Sequence, residues 1–408
     1  MPDLPIRRNT ALLSASMALN SAVFQLVAAV SSITFVLVTG IEGLLGLGPA
    51  IFLVSSACGS LVSGRAMDRF GRVPVIATGF AVTSVGSALT ALGAATASWA
   101  GVVPGFALLG AGAGTAALAR TAAGDMYPAA RRARGIAWVL FGSVFGAILG
   151  PAVFSPIFAG KDVETAALVV PWLAASGIAL LGIVVVLLVR PDPMRIAQLI
   201  APAPAADEPT HAAPLREILR RPGVVPALVA SLASIAVMVS VMNLTGYVVV
   251  EHRHHAQHVV FPIIAAHVLG MFGLVPVVGT LVDRIGRAPA LVGGLAVIAV
   301  SCAGLQWGEG VWATGVLLFG LGLGWNVSYV AASAQLVDLS RPTERGKLLG
   351  FGDFSGSMLG AAFVLLGGYA LDELGVYALA FGAAAAALLP VGVLLTRTAP
   401  PPVRTEPA

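Results

Sequence analysis

The chain runs to 408 residues, 58% of them hydrophobic and only 10% charged, with a mean hydropathy of +0.93. A soluble protein of this size could not hide so much apolar surface, whereas a bilayer supplies the apolar solvent itself. A net charge of +4 would suit a nucleic-acid binder, but the charges come in short bursts between runs of about 20 apolar residues, the length a helix needs to cross hydrocarbon.

Read burst to burst, the sequence predicts twelve membrane spans, near 11–38, 44–66, 74–95, 99–121, 135–158, 168–190, 223–250, 259–281, 288–307, 311–335, 346–370 and 375–397. The expected fold class is an all-α membrane protein, with one six-helix bundle over 1–190 and a second over 223–397. Between them, 191–222 holds Pro202, Pro204, Pro209 and Pro214 with Asp207 and Glu208, and reads as a hydrated linker. Within it, Leu215, Ile218 and Leu219 among Arg216, Arg220 and Arg221 offer a turn or two of helix lying on the membrane face. The tail, 398–408, is expected to be disordered. The first apolar run is too long for a signal-peptide core, with no cleavage pattern after it, and reads as a retained helix.

Of the 23 basic residues, Lys161 and Arg253 alone fall in the loops of one side, and Arg120 is the only one in spans one, four, seven and ten. The rest share a side with both ends of the chain, which the positive-inside rule makes cytoplasmic. Lysine is rare beside abundant arginine, alanine, glycine and valine. This points to a GC-rich bacterial genome, hence to a multi-pass protein of a bacterial plasma (inner) membrane. Cys58 and Cys302 fall singly inside spans two and nine, as small apolar packers.

The loop after span two, Gly64-Arg-Ala-Met-Asp68-Arg69-Phe-Gly71-Arg72, returns after span eight as Gly279-Thr-Leu-Val-Asp283-Arg284-Ile-Gly286-Arg287. A second pair of loops also matches: Asp125, Pro128 and Arg131 after span four, Asp338, Pro342 and Arg345 after span ten. Repetition at about half the chain length marks two similar halves, as in secondary transporters. Gly64 and Gly279 permit close helix contact, and Gly71 and Gly286 a tight turn with positive φ. Asp68 and Asp283 sit where a carboxylate can face the positive end of a neighbouring helix. Asp125 and Asp338 can bridge to the loop arginines. Together these residues form a candidate gate; the alternative is that the charges only fix topology. In span five, Gly142, Gly146 and Gly150 share one face ahead of Pro151. They form a candidate packing seal against span eight, which offers Gly270 and Gly273.

These loops resemble the signature of the major facilitator superfamily, and the resemblance covers nearly the whole chain. The span-five glycine run is similar to the motif of the superfamily's drug–proton antiporter branches. It departs from that motif at Val153-Phe154, where a glycine pair is expected, and at Phe106, where those antiporters carry an arginine in span four. His267-Val-Leu-Gly270-Met271-Phe272, and Gly324-Trp325-Asn326 followed by Gly352-Asp353-Phe354, resemble a broad bacterial subgroup. The resemblance implies two bundles that alternate access, with span two beside span eleven and span eight beside span five. Asp68 would then meet the start of span eleven near Arg345, and Asp283 the start of span five near Arg134 and Gly135. It also implies a central cavity lined by spans one, four, seven and ten. Those spans offer Asn20, Gln25, Thr115, Asn243, Thr245, Trp325, Asn326 and Tyr329 with almost no charge, which suits a neutral or amphiphilic organic molecule. Arg120 is expected to brace Asp125 or Asp68.

Besides Arg120, two ionisable residues stand out inside apolar spans, Asp353 in span eleven and His267 in span eight. A charge at a helix centre costs about 2.5–3.5 kcal/mol, so such residues face a cavity or a partner. Burial should bring each into the range where a transport cycle could protonate it, making both candidates for proton coupling. The alternatives are a structural brace, to Asn326 for Asp353 and between helices for His267. The loop Glu251–His258 reads as polar and wet rather than as a metal site. No nucleotide-binding loop or catalytic triad is visible, so neither enzyme activity nor a cofactor is expected. The function expected is a monomeric secondary active transporter for the proton-coupled efflux of a small organic compound. Its partners are substrate, protons and lipid, not nucleic acid. The alternatives are a proton-coupled importer of a small metabolite, or a non-transporting sensor with the same fold.

Overall fold

In hydrocarbon every backbone N–H and C=O must be satisfied within its own segment, so each apolar run coils into a helix. The computed structural model describes residues 4–128, 132–159, 164–200, 213–340 and 342–396, and no strand occurs among them. In chain order the helices are α1 (Ile6–Thr39), α2 (Leu47–Phe70), α3 (Arg72–Ala95), α4 (Trp99–Ala116), α5 (Ala119–Asp125), α6 (Arg132–Phe158), α7 (Val169–Leu187) and α8 (Pro193–Ile200). They continue with α9 (Leu215–Leu219), α10 (Val224–Tyr247), α11 (Val260–Phe272), α12 (Val275–Ile285), α13 (Arg287–Gly304), α14 (Val311–Asp338), α15 (Pro342–Leu374) and α16 (Val376–Thr396). Ten helical stretches among the described residues are long and apolar enough to cross a membrane. The α11–α12 pair, bent by 49°, makes an eleventh if it is one span, and α16 carries a shorter apolar run, Val376–Gly392.

Two spans that the sequence suggested as single helices are broken. Span four stops at Ala116 and resumes at Ala119 as α5. Span eight stops at Phe272 and restarts at Val275, with Pro276 in the first turn of α12, where its missing amide proton costs no hydrogen bond. The expected linker needs a larger correction. Its first part is α8, which buries Ile196 and packs on α5 and α3. The short helix anticipated near Leu215 is α9, with Ile218 buried. Residues 201–212 and the tail lie outside the described residues.

Small residues bring the helices together. A Cβ on Gly93 of α3 would stand 2.6 Å from the Val102 amide nitrogen of α4. In the second half, one on Gly294 of α13 would stand 2.7 Å from the Ser328 nitrogen of α14. Only hydrogen fits at such approaches.

The glycine face of α6 goes to a different neighbour from the one expected. Gly142 lies on Ser14, Gly146 on Ala18 and Ser21, and Gly150 on Gln25, all in α1. Gly270 packs on Phe319 and Leu323 of α14, and Gly273 faces a carbonyl of its own helix. α6 meets α11 beyond Pro151 instead, where Phe154 and Phe158 stack on Phe261 with ring centroids 5.8 and 5.7 Å apart. Phe154 belongs to the Val153-Phe154 pair that stands where the antiporter pattern has glycines. Gly146→Val should drive a branched side chain into α1 and cost about 1–3 kcal/mol. Thermal unfolding in detergent checks this, with Gly177→Val as the control because a Cβ there meets nothing within 4 Å.

Candidate functional site

The two signature loops adopt the same turn. Gly71, between α2 and α3, has φ +93°, and Gly286, between α12 and α13, has φ +89°, a region open to glycine and strained for other residues. Each loop arginine bridges to an acid at the end of a neighbouring helix: Arg72 Nε to Asp125 at 2.8 Å, and Arg287 Nε to Asp338 at 3.4 Å. The surroundings of the two pairs differ. Side chains in the first pair are 15% and 20% exposed, and in the second 32% and 60%. In the first loop Asp192 accepts hydrogen bonds from the Arg72 and Val73 amides at 3.2 and 2.8 Å, placing an anion at the positive end of α3. Asp192 had no motif to mark it in the sequence.

The expected partners of the gate aspartates are not all found. Asp283 is 70% exposed and pairs at 2.6 Å with Arg287 on the next helix, rather than meeting the start of α6. Among the described residues no atom lies within 4 Å of a Cβ built on Gly64 or Gly279, so the close helix contact expected there is not made in this conformation. Arg131 lies outside the described residues, as do the side chains of Asp68 and Arg345. Arg69 and Arg284 are at the C-terminal ends of α2 and α12, where a cation meets the negative helix end.

Described contacts between α1–α7 and α10–α16 gather at the arginine-poor end. Beside the stacked phenylalanines, Ser155 Oγ donates to the His258 carbonyl at 2.7 Å and Gln257 Nε2 to the Ala29 carbonyl at 3.1 Å. Gly46 and Gly368 bring α2 and α15 into backbone contact, and Gly246 rests on Ala29. Closer to the arginine-rich end, one ion pair crosses between the two sets of helices. Arg120 Nη2 of α5 stands 3.6 Å from Asp353 Oδ2 of α15, with side chains 38% and 45% exposed. The Tyr329 hydroxyl of α14 donates to the other Asp353 oxygen at 3.0 Å. Tyr329 in turn stacks on Trp325, centroids 4.9 Å apart and planes at 15°, and Trp325 meets the edge of Phe272.

This geometry changes three expectations. Arg120 does not brace Asp125, which is held by Arg72. The partners of Asp353 are Arg120 and Tyr329, not Asn326. Nor is Asp353 the dehydrated carboxylate its apolar span suggested. His267 is fully buried, its Nδ1 bound to the Leu318 carbonyl at 2.8 Å, which ties α11 to α14.

Several cavity candidates are committed to neighbouring backbone. Gln25 donates to the Gly146 carbonyl, Asn20 to Ala113 at 3.4 Å and Asn243 to Val239 at 2.8 Å. Thr115 bonds Ser63 at 2.8 Å and the Ala111 carbonyl at 2.9 Å. Asn326 is 2% exposed; its Nδ2 and the Trp325 Nε1 have no hydrogen-bond partner among the described residues. The histidine-rich loop is more structured than a wet connector. Arg253 donates to Thr314 Oγ1 at 2.6 Å and to the Leu305 carbonyl, and burial pulls its pKa below the ordinary value. Among the described residues no group of three or more His, Cys, Asp or Glu is arranged to hold a metal.

A sequence model of the Major Facilitator Superfamily matches residues 10–266 and again 251–408. The chain belongs to the major facilitator superfamily of transporters. Among its relatives, the MFS-type transporter YdeG of Bacillus subtilis is 30% identical over 339 residues, 81% of this chain and 77% of that one. The riboflavin transporter RfnT of Brucella anthropi is 30% identical over 351 residues, 85% of each chain. The fold is shared with the xylose transporter XylE of E. coli in a partially occluded inward-open conformation, at TM-score 0.71 and 16% identity over 97% of this chain and 98% of that one. As a multi-pass superfamily member it takes a small-molecule substrate. Within that frame Arg120 is the residue whose partner was misjudged. A lone arginine in one apolar span and a lone acid in another were both visible, and each needed a partner.

Proposed function

We propose that this transporter couples proton movement to the export of a small neutral or amphiphilic organic compound, acting as a monomer in a bacterial plasma membrane. The observation that carries the reading is the Arg120–Asp353 pair, which joins the two sets of helices where α14 presents Trp325 and Tyr329. An ionised Asp353 holds Arg120 across the passage. A protonated one keeps the Tyr329 contact but loses the charge that attracts Arg120, freeing the two sides to move. With the arginine-rich end cytoplasmic, the contacts at the opposite end describe the state open to the cytoplasm, in which Asp353 has released its proton. The loop pairs of Arg72 and Arg287, with Asp68, Asp283 and Arg345, would re-form the cytoplasmic gate in the other state.

The second reading runs the same site as metabolite import. It is favoured by the similarity to a riboflavin transporter, whose named substrate has a flat ring system that a Trp325–Tyr329 platform would suit. Proteoliposomes loaded with candidate compounds and given an inward proton gradient separate the two. Export predicts substrate loss against its own gradient; import predicts accumulation. Flux that ignores the proton gradient in both directions would remove proton coupling altogether.

Orientation has its own test. In a Cys58→Ser background, which removes the exposed native thiol, Leu199→Cys should resist an impermeant maleimide on intact cells while Glu309→Cys reacts. The reverse pattern would invert the topology.

A further inference from the structure

A cavity of about 1690 Å³ opens between α1, α6 and α7 at the arginine-rich end. None of its described lining residues belongs to α10–α16, which sets it apart from the passage between the two sets of helices. Its wall on α6 is aromatic: Trp138, Phe141 and Phe145 meet edge to face in succession, centroids 6.2 and 5.7 Å apart. Trp138 and Phe145 are 51% and 56% exposed, and Leu181 of α7 opposite is 52% exposed, so the groove faces outward into the surrounding lipid. From Arg7 to Ala18 the floor runs along α1 for about 16 Å, close to half the hydrocarbon thickness.

Among the described residues, the charges at the mouth of the groove are of one sign. Arg7 and Arg8 line it, with Thr10, Ser14 and Tyr127 as the nearby hydroxyls, and no carboxylate is among the described lining residues. Arg8 donates to the Leu188 carbonyl at 2.9 Å, which pins its guanidinium over the end of α7. The start of α1 adds the positive end of a 34-residue helix with no side-chain cap. Two guanidiniums at headgroup level above an aromatic, membrane-deep groove match an anionic headgroup carrying an acyl chain.

We propose that this groove is a binding site for one anionic phospholipid of the arginine-rich leaflet. Arg7 and Arg8 take the phosphate, and the aromatic wall of α6 takes a chain. Because α1 also faces α10 across the passage, an occupied groove braces α1 from behind.

Bromine on an acyl chain quenches tryptophan at contact, and Trp138 is the reporter. The full-length protein is placed in bilayers of unbrominated phosphatidylcholine with a small mole fraction of brominated phosphatidylglycerol or brominated phosphatidylcholine. Quenching by the anionic lipid should be stronger by roughly twofold or more, and the difference should vanish in Trp138→Phe. It should also vanish in Arg7→Gln/Arg8→Gln and persist in Arg7→Lys/Arg8→Lys, a pair that separates loss of charge from loss of fold. Equal quenching by both lipids would overturn the proposal, as would an anionic preference that survives in Trp138→Phe. Absence of any Trp138-dependent quenching by either lipid, together with cross-linking between copies through Trp138→Cys, would assign the groove to a second copy of the chain instead.

Discussion

Asp353→Asn is expected to abolish proton-driven transport while leaving substrate binding largely intact. Asparagine keeps the size of aspartate and can still accept from Tyr329, but carries no charge for Arg120 at 3.6 Å and no proton to exchange. Gradient-driven flux in liposomes should fall by roughly tenfold or more, with affinity changed by less than about 1.4 kcal/mol, the free energy of a factor of ten. Arg120→Gln should act in the same direction, because it removes the other member of the pair. Since both side chains are part-exposed, neither change should unfold the protein. Undiminished gradient-driven flux in Asp353→Asn would return the pair to a structural role. His267→Gln is expected to be milder. Its contact with Leu318 is a single interhelical hydrogen bond, which an amide can replace.

The largest loss of stability is expected far from the passage, in Arg221→Met. Arg221 grips Glu344 with both ends of its guanidinium, at 2.6 and 2.9 Å, and reaches the Leu339 carbonyl at 3.3 Å. The Glu344 side chain is 1% exposed. Its hydrogen bonds and charge hold the Arg221 pKa above the ordinary arginine value. Methionine keeps much of the stem but takes two guanidinium hydrogen bonds and their positive charge from a buried carboxylate. Breaking one side of such a pair costs about 3–5 kcal/mol. Thermal unfolding in detergent should drop sharply for Arg221→Met and recover in large part for Arg221→Met/Glu344→Leu, which removes the buried charge as well. A single variant as stable as the parent would show that Glu344 is satisfied by other groups.

What the sequence made legible was whatever follows from local chemistry. Apolar run length came close to the number of spans, and the paired glycine–aspartate–arginine loops located the repeat, down to the positive φ of Gly71 and Gly286 and the bridges of Arg72 and Arg287. What it left hidden was which surfaces meet. The stripe of Gly142, Gly146 and Gly150 announces a close neighbour without naming it, and α1 takes the place expected of span eight. Arg120 and Asp353 each advertise the need for a counter-charge, but their pairing depends on how two sets of helices face each other across a gap. Asp192 and Glu344 look like ordinary loop and helix-start acids. Their roles emerge only when Val73 and Arg221 arrive from distant parts of the chain.

The break between α11 and α12 gives span eight two mechanical parts. α11 is pinned, with Phe261 stacked on two rings of α6 and His267 tied to α14. α12 is held less tightly: Val278 and Val282 are buried, but Gly279 has open space and Asp283 is 70% exposed. Eleven residues past an elbow of 49° make a lever about 16 Å long. Straightening that elbow sweeps the tip through a distance on the order of 13 Å, enough to carry a signature loop across a solute-sized opening. On the gating reading proposed above, span eight would shut its own end of the passage by bending at this elbow while its root stays clamped, like a hinged flap rather than a rocking wall.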